Sequence, residues 1–394
     1  MLYCNCGVSS RGVGKVVDVV NLVFGGIAGE APSHETVLGW VEKYGYALSR
    51  ESRRPEHGGH ALIIDNSVNM NGQELHLELE APAAHPGHAL THGDVRVVRM
   101  KVGRKWDTAA VKGELALSTA GHRPAYVVSD NARPMCRACR ELGLAHHRDI
   151  SHSFGMFLER VYSGTEDLDE FNRGMAYARK FSHTEIGCLM PPRRRDYARF
   201  MNLFDRIDWA YLTLHNFHKL PDRGKTVFGF LLRMGGFVDE MKEVMDWYRQ
   251  LERLCKEHGL SFGTSRQCVA LVNSTFMQRG ERLRTLGQML IDYFRQEESL
   301  LESSDAVHNI CSDVIESTFG YAKDRLPSNK NNGFTSLVLL IPAHLRVADI
   351  KSCKELDLSD AMRRTKLADI ARWRKENLLP NPAKTRSRTL SMAM

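Results

Sequence analysis

Nowhere in this chain do the ~20 uninterrupted apolar residues of a membrane-spanning helix occur. The nearest approach to a leader peptide, residues 16–28, is broken by Asp18 and Asn21. Internal repeats are absent, which argues against repeat architectures. No Ser or Tyr stands out as a nucleophile, so the sequence gives no sign of a covalent protein intermediate. Nine cysteines in 394 residues do not suggest a disulfide framework; reduced thiols fit better, and the expectation is a cytoplasmic protein.

What is present is enough apolar content, 43%, to build real cores in two or three domains. The net charge of +7 is modest but concentrated. Nine Lys and Arg between Arg363 and Arg388, set against Asp369 and Glu376, account for the whole excess. That segment carries one aromatic, Trp373. It suits either a polyanion bound in a salt-dependent way or a solvated tail without a partner.

The first 50 residues have helical spacing. Val16, Val19, Val20 and Val23 repeat on one face until Gly25-Gly26, and a second helix opens after Ser33 as N-cap and stops at Gly45. Two short helices around a glycine-containing turn fit part of a helix-turn-helix, whose second helix would enter the major groove. From residue 61 the period becomes two. Leu75, Leu77 and Leu79 alternate with His76, Glu78 and Glu80 after the Asn71-Gly72 turn signal, as in a half-buried strand. Further strands are expected over 94–102, 125–129 and 145–150, with helices over 106–117 and 133–142. This order predicts an α/β domain with a mixed sheet. Residues 153–305 are helical in pattern, most clearly at 237–258, and helices are also expected over 168–181, 197–217 and 281–294.

Three carboxylates stand out. Asp65 ends the run Ala61-Leu62-Ile63-Ile64, Asp130 ends Tyr126-Val127-Val128-Ser129, and Glu316 lies on a helix spanning 312–323. An Asp at a strand's end is often only a turn residue. Here the first strand should be central with the fourth beside it, so the two C-terminal ends lie together where α/β sheets place ligands. Lys323 follows Glu316 by seven residues, two helical turns, and so shares its face. Carboxylates so placed can hold a pair of hard divalent cations, and such a pair catalyses in-line displacement at phosphorus.

This ordered set resembles the RNase H-like core of bacterial insertion-sequence DDE transposases. Asp65-Asn66-Ser67 is similar to their first motif and Ser129-Asp130-Asn131-Ala132 to their second. The stretch from Ser312 to Lys323 resembles their Glu motif, with its Glu-then-Lys spacing. Asp149-Ile150-Ser151-His152 resembles the Asp/Cys-x-x-His element of transposases whose core is interrupted by a helical domain. The Tyr and Arg that some families place before the Glu are replaced by Asn309 and Ser312.

The resemblance implies a partial helix-turn-helix over 1–50, an RNase H-like core over 58–152 and 306–350, an all-α insertion over 153–305 and a basic tail over 351–394. It implies catalysis and metal binding by Asp65, Asp130 and Glu316 with two Mg²⁺ ions, for which Mn²⁺ can substitute. His152, Lys323, Arg193, Arg194, Arg195, Arg372, Arg374 and Lys375 are the expected DNA contacts. The partners implied are double-stranded DNA, as terminal inverted repeats and target, and a second copy or more of the chain, without a membrane. The setting implied is a bacterial, nucleoid-associated cytoplasmic one. Two other readings stay open: a related RNase H-like nuclease or integrase, and a non-catalytic DNA-binding descendant of a transposase.

Several patterns favour a plain structural role. Cys136-x-x-Cys139 with His146-His147 has zinc-like residues, but the thiols fall on a helix and the histidines beside a strand. Trp209 and Trp247 suit a core better than base stacking. His85, His88 and His92 sit in a Pro/Gly loop and read as solvated.

Overall fold

Ser9 opens helix α1 (Ser10–Phe24), its hydroxyl accepting from the Gly12 N–H at 3.0 Å, and Gly25 closes it in the left-handed region. The computed structural model describes residues 1–50, 59–193, 201–326, 333–347 and 358–393. Ser33 caps α2 (His34–Ser49) as expected, but α2 runs through Gly45 instead of stopping there. The reason is packing. A Cβ at Gly45 would sit 1.8 Å from the Leu339 carbonyl oxygen, so glycine permits a close approach within the helix.

The sheet comprises β1 (His60–Met70), β2 (Gln73–Pro82), β3 (Arg96–Gly103), β4 (Val127–Ser129) and β5 (His146–Arg148), in the spatial order β3-β2-β1-β4-β5. Asn71 and Gly72, both at positive φ, make the two-residue turn joining β1 to β2. β1, β2 and β3 are antiparallel neighbours, whereas β4 runs parallel to β1. The fold is therefore mixed α/β, as the alternation of patterns implied. Helices α3 (Thr108–Thr119) and α4 (Arg133–Glu141) cover one face with Leu62, Ile64 and Val127 beneath them.

The rest of the helices follow as α5 (Ile150–Tyr162), α6 (Glu166–Ala178), α7 (Met201–His215), α8 (Asp222–Phe228), α9 (Phe230–Arg233), α10 (Gly235–His258), α11 (Phe262–Ser274), α12 (Glu281–Glu298), α13 (Asp313–Arg325), α14 (Leu340–Arg346), α15 (Leu358–Arg364), α16 (Leu367–Asn377) and α17 (Pro382–Ala393). The chain divides into two compact units. One joins Met1–His147 to Ser312–Met394; the other is Arg148–Cys311.

In the sheet-bearing unit, Ala61, Ile63, Leu75, Leu77, Leu79, Tyr126 and Val128 form the second face, packed with Val314, Ile315 and Phe319 of α13 and Leu340 and Ile341 of α14. One expectation for this unit needs correcting. β2 is not half-buried: His76 and Glu78 are wholly buried too, because α3 and α4 cover the face on which solvent was expected.

The other unit is helical among its described residues, apart from a bridge between Leu260 and His308. Its longest helix, α10, buries Phe237, Val238, Met241, Val244, Met245, Tyr248, Leu251 and Cys255, a stripe at helical spacing. Tyr248 stacks on Phe154 at 3.9 Å between ring centroids. The two ends of this unit meet, the Ile150 N–H donating to the Ile310 carbonyl at 3.2 Å.

Candidate active site

The register of β1 and β4 pairs Leu62 with Val127 and Ile63 with Val128. Continued by two residues, the same register sets Asp65 opposite Asp130, on adjacent strands about 4.8 Å apart. Side chains alternate along a strand, so Asp65 shares the face of Ala61 and Ile63, and Asp130 that of Tyr126 and Val128. Both are half-buried. The Asp65 carboxylate accepts from the Asn66 N–H at 2.6 Å, and that of Asp130 from the Ala132 N–H at 3.0 Å. The second contact is a turn that leads into α4.

α13 packs against β1 on this same face. It buries Val314, Ile315, Thr318, Phe319 and Ala322, which leaves Glu316 in its first turn and Lys323 in its last on a common exposed strip. All three expected carboxylates therefore belong to one unit and one side of its sheet.

They are not drawn into a cluster: among the described residues, no three His, Cys, Asp or Glu side chains are grouped to hold a metal ion. Like charges repel, so carboxylates brought together need a cation or a shared proton to offset the cost. As a donor set, three carboxylates match the hard-oxygen preference of Mg²⁺ and Mn²⁺. The zinc-like residues behave otherwise. Burial, with Cys136 and Glu78 nearby, pushes the Cys139 thiol up to about 12, far from the thiolate a zinc ion needs. His146 instead meets the Ser129 hydroxyl at 2.8 Å, and His147 packs edge-on to Tyr126.

Two groups near the site were missed because alternation in β2 and a loop composition both suggested solvent. His76 meets Asn66 Oδ1 through Nδ1 at 2.6 Å and Glu78 Oε1 through Nε2 at 2.9 Å, and its ring lies 4.7 Å from that of Trp106. This wholly buried pair braces the residue that follows Asp65. His92 is also not simply solvated. Its Nε2 lies 2.9 Å from the hydroxyl of Ser317, the neighbour of Glu316, and burial lowers its pKa. It sits beside His344, which stacks on Tyr321 at 3.5 Å. Burial first, then the charge of His92, lowers the His344 pKa to about 4.

In the helical unit, Asp149 is buried and caps α5, accepting from the His152 N–H at 2.7 Å. That bond gives Asp149 a capping role through the His152 backbone and makes no use of the imidazole. Trp209 donates to the Leu189 carbonyl at 3.0 Å and packs on Phe228, while Trp247 packs on Phe276, so both serve the core. Arg193 is exposed; Arg194 and Arg195 lie outside the described residues. Arg372, Arg374 and Lys375 are exposed on α16, which is anchored through buried Ile370. α2, the expected reading helix, buries Val37, Val41, Tyr44 and Gly45 and packs on α14, α15 and α16. No protein-family model and no curated protein matches this sequence.

Proposed function

We propose that the chain is a DDE-type DNA transposase, cutting and joining the ends of a mobile element with metal-dependent chemistry. The observation that carries this reading is the parallel register placing Asp65 opposite Asp130, with Glu316 on a helix packed to the same face. The strand order, an antiparallel meander followed by a parallel fourth strand, supports an RNase H-like core. The helical unit inserted between β5 and α13 supports the interrupted variety of that core.

Asp65, Asp130 and Glu316 would hold two Mg²⁺ ions. Bound there, such ions activate a water or 3′-hydroxyl and offset charge on the leaving oxygen. The chain's own part is positional. β1 and β4 fix two carboxylates at neighbouring register positions, and α13 presents the third with Lys323 as a cation for phosphate on the same strip. Arg372, Arg374 and Lys375 on α16 would grip the DNA backbone, with His152 and Arg193 as further contacts on the helical unit.

The test is incubation of the full chain with Mg²⁺ or Mn²⁺ and duplexes carrying the element's own inverted repeats. Cleavage to 3′-hydroxyl ends followed by strand transfer is expected. Nicking without transfer would select a nuclease, and salt-sensitive binding without cleavage would select a non-catalytic descendant.

A further inference from the structure

Ser312 stands at the N-cap of α13 but makes no side-chain capping bond to the first turn. Glu316 lies in that turn, where a helix has the fewest hydrogen bonds of its own. The tie comes one residue later, at Ser317. Its hydroxyl donates to the Val314 carbonyl at 3.0 Å, so its single proton is spent within the helix. Toward His92 the same oxygen accepts, 2.9 Å from Nε2, which therefore carries the ring proton.

This tie is one of three along a single flank. Ser317, Tyr321 and Arg325 recur every four residues, beside the strip that carries Glu316 and Lys323. Tyr321 stacks on His344 of α14 with only 6° between the ring planes. The Arg325 guanidinium lies over the rings of Tyr321 and Tyr3, and its Nη1 donates to the Tyr3 carbonyl at 2.9 Å. His92 and His344 meet edge-on with ring centroids 4.8 Å apart, which joins the first tie to the second. His344 is held in turn. Asn5 donates through Nδ2 to the Val347 carbonyl, which leaves its Oδ1 to accept from His344 Nδ1–H at 3.2 Å.

We propose that His92 is a positioning residue for Glu316, holding α13 at one rotation about its axis through Ser317, with His344 as its backing. Apolar packing keeps α13 on the sheet but has no direction of its own, whereas a hydrogen bond does. Side-chain tips ride roughly 5–6 Å from a helix axis, so a rotation of about 10° moves the Glu316 carboxylate by roughly 1 Å. A displacement of that size can cost about 100-fold in rate. The effect on rate rests on the catalytic reading of Glu316; the effect on the helix does not.

Two measurements on the full chain keep these apart. Without DNA, His92→Leu and Ser317→Ala should each speed amide hydrogen exchange over residues 317–321 at least about fivefold, with β1 and β2 unchanged. Wild-type exchange rates in that stretch overturn the proposal. In the Mn²⁺-dependent cleavage assay, both variants should lower kcat about 10- to 100-fold and leave KM for the duplex within about twofold. His92→Gln keeps an N–H donor and should recover kcat to within about threefold of wild type. An unchanged kcat in His92→Leu or Ser317→Ala overturns the proposal, and so does a His92→Gln variant no better than His92→Leu. A wild-type chain that cuts nothing would remove the catalytic reading alone, and the exchange rates would then decide whether His92 holds the turn of Glu316.

Discussion

The two faces of the sheet spend their polar residues differently. On the α13 face, the interior is apolar and the carboxylates Asp65, Asp130 and Glu316 stand at its margin, half-buried or exposed. On the α3/α4 face, titratable side chains are inside and paired. His76 and Glu78 hold each other, while Arg99 and Lys101 on β3 hold Glu114 of α3. Burial alone would raise the Glu114 pKa, but the two cations outweigh it and keep the carboxylate below its usual range. Charges satisfied deep within the protein support structure, and carboxylates at a margin lie where a ligand can reach them.

This contrast can be broken by mutation, and the largest effect should come from the marginal acids. Asp65→Asn, Asp130→Asn or Glu316→Gln should lower metal-dependent cleavage by about 10³-fold or more. Urea unfolding of the same variants should stay within about 1 kcal/mol of wild type. Full cleavage by any of the three would end the catalytic assignment.

The interior acids should behave oppositely. Glu78→Leu leaves His76 buried without its carboxylate and should cost about 3 kcal/mol in urea unfolding. A smaller, pH-dependent effect belongs to His344. Its folded pKa of about 4 lies below the ordinary 6.5, so the folded state takes up fewer protons than the unfolded chain. Its contribution is fully present above pH 6.5 and is lost as pH falls toward about 4. Melting temperatures across that window should fall for wild type and flatten for His344→Phe.

The smallest effect is expected at Asp149. Asn caps a helix about as well as Asp, so Asp149→Asn should change stability by only a few tenths of a kcal/mol. Comparing it with Asp130→Asn in the cleavage assay sets a capping aspartate against the one proposed to ligate metal. A loss of activity as large at Asp149 as at Asp130 would show that the two acids share a role.

That pair also shows what the sequence could and could not reveal. Asp130 and Asp149 look alike on paper, each ending a short strand before a helix. Local pattern located both, and it placed α10, the Asn71-Gly72 hairpin and the cap Ser33, since these depend on neighbours in the chain. What separates the two aspartates is register across the sheet, which a single strand does not encode. The same limit explains β2. Its alternation was real, but whether His76 and Glu78 meet water depends on helices folded from other segments. Gly45 reads as a stop until Leu339 is known to lie against it.

The bond between Ile150 and Ile310 has a consequence for how the protein folds. Asp65 and Asp130 lie on β1 and by β4, the first joined to β2 by a two-residue hairpin, contacts that a growing chain reaches early. Glu316 is made only after the whole helical unit. Left as a flexible loop, so long a segment would burden the pairing of its flanks with closure entropy and slow the search. Folded, with its own ends fastened, it becomes a short staple between the segments that flank it in sequence. The third acid is thus delivered last, after all five strands and the whole helical unit have been made.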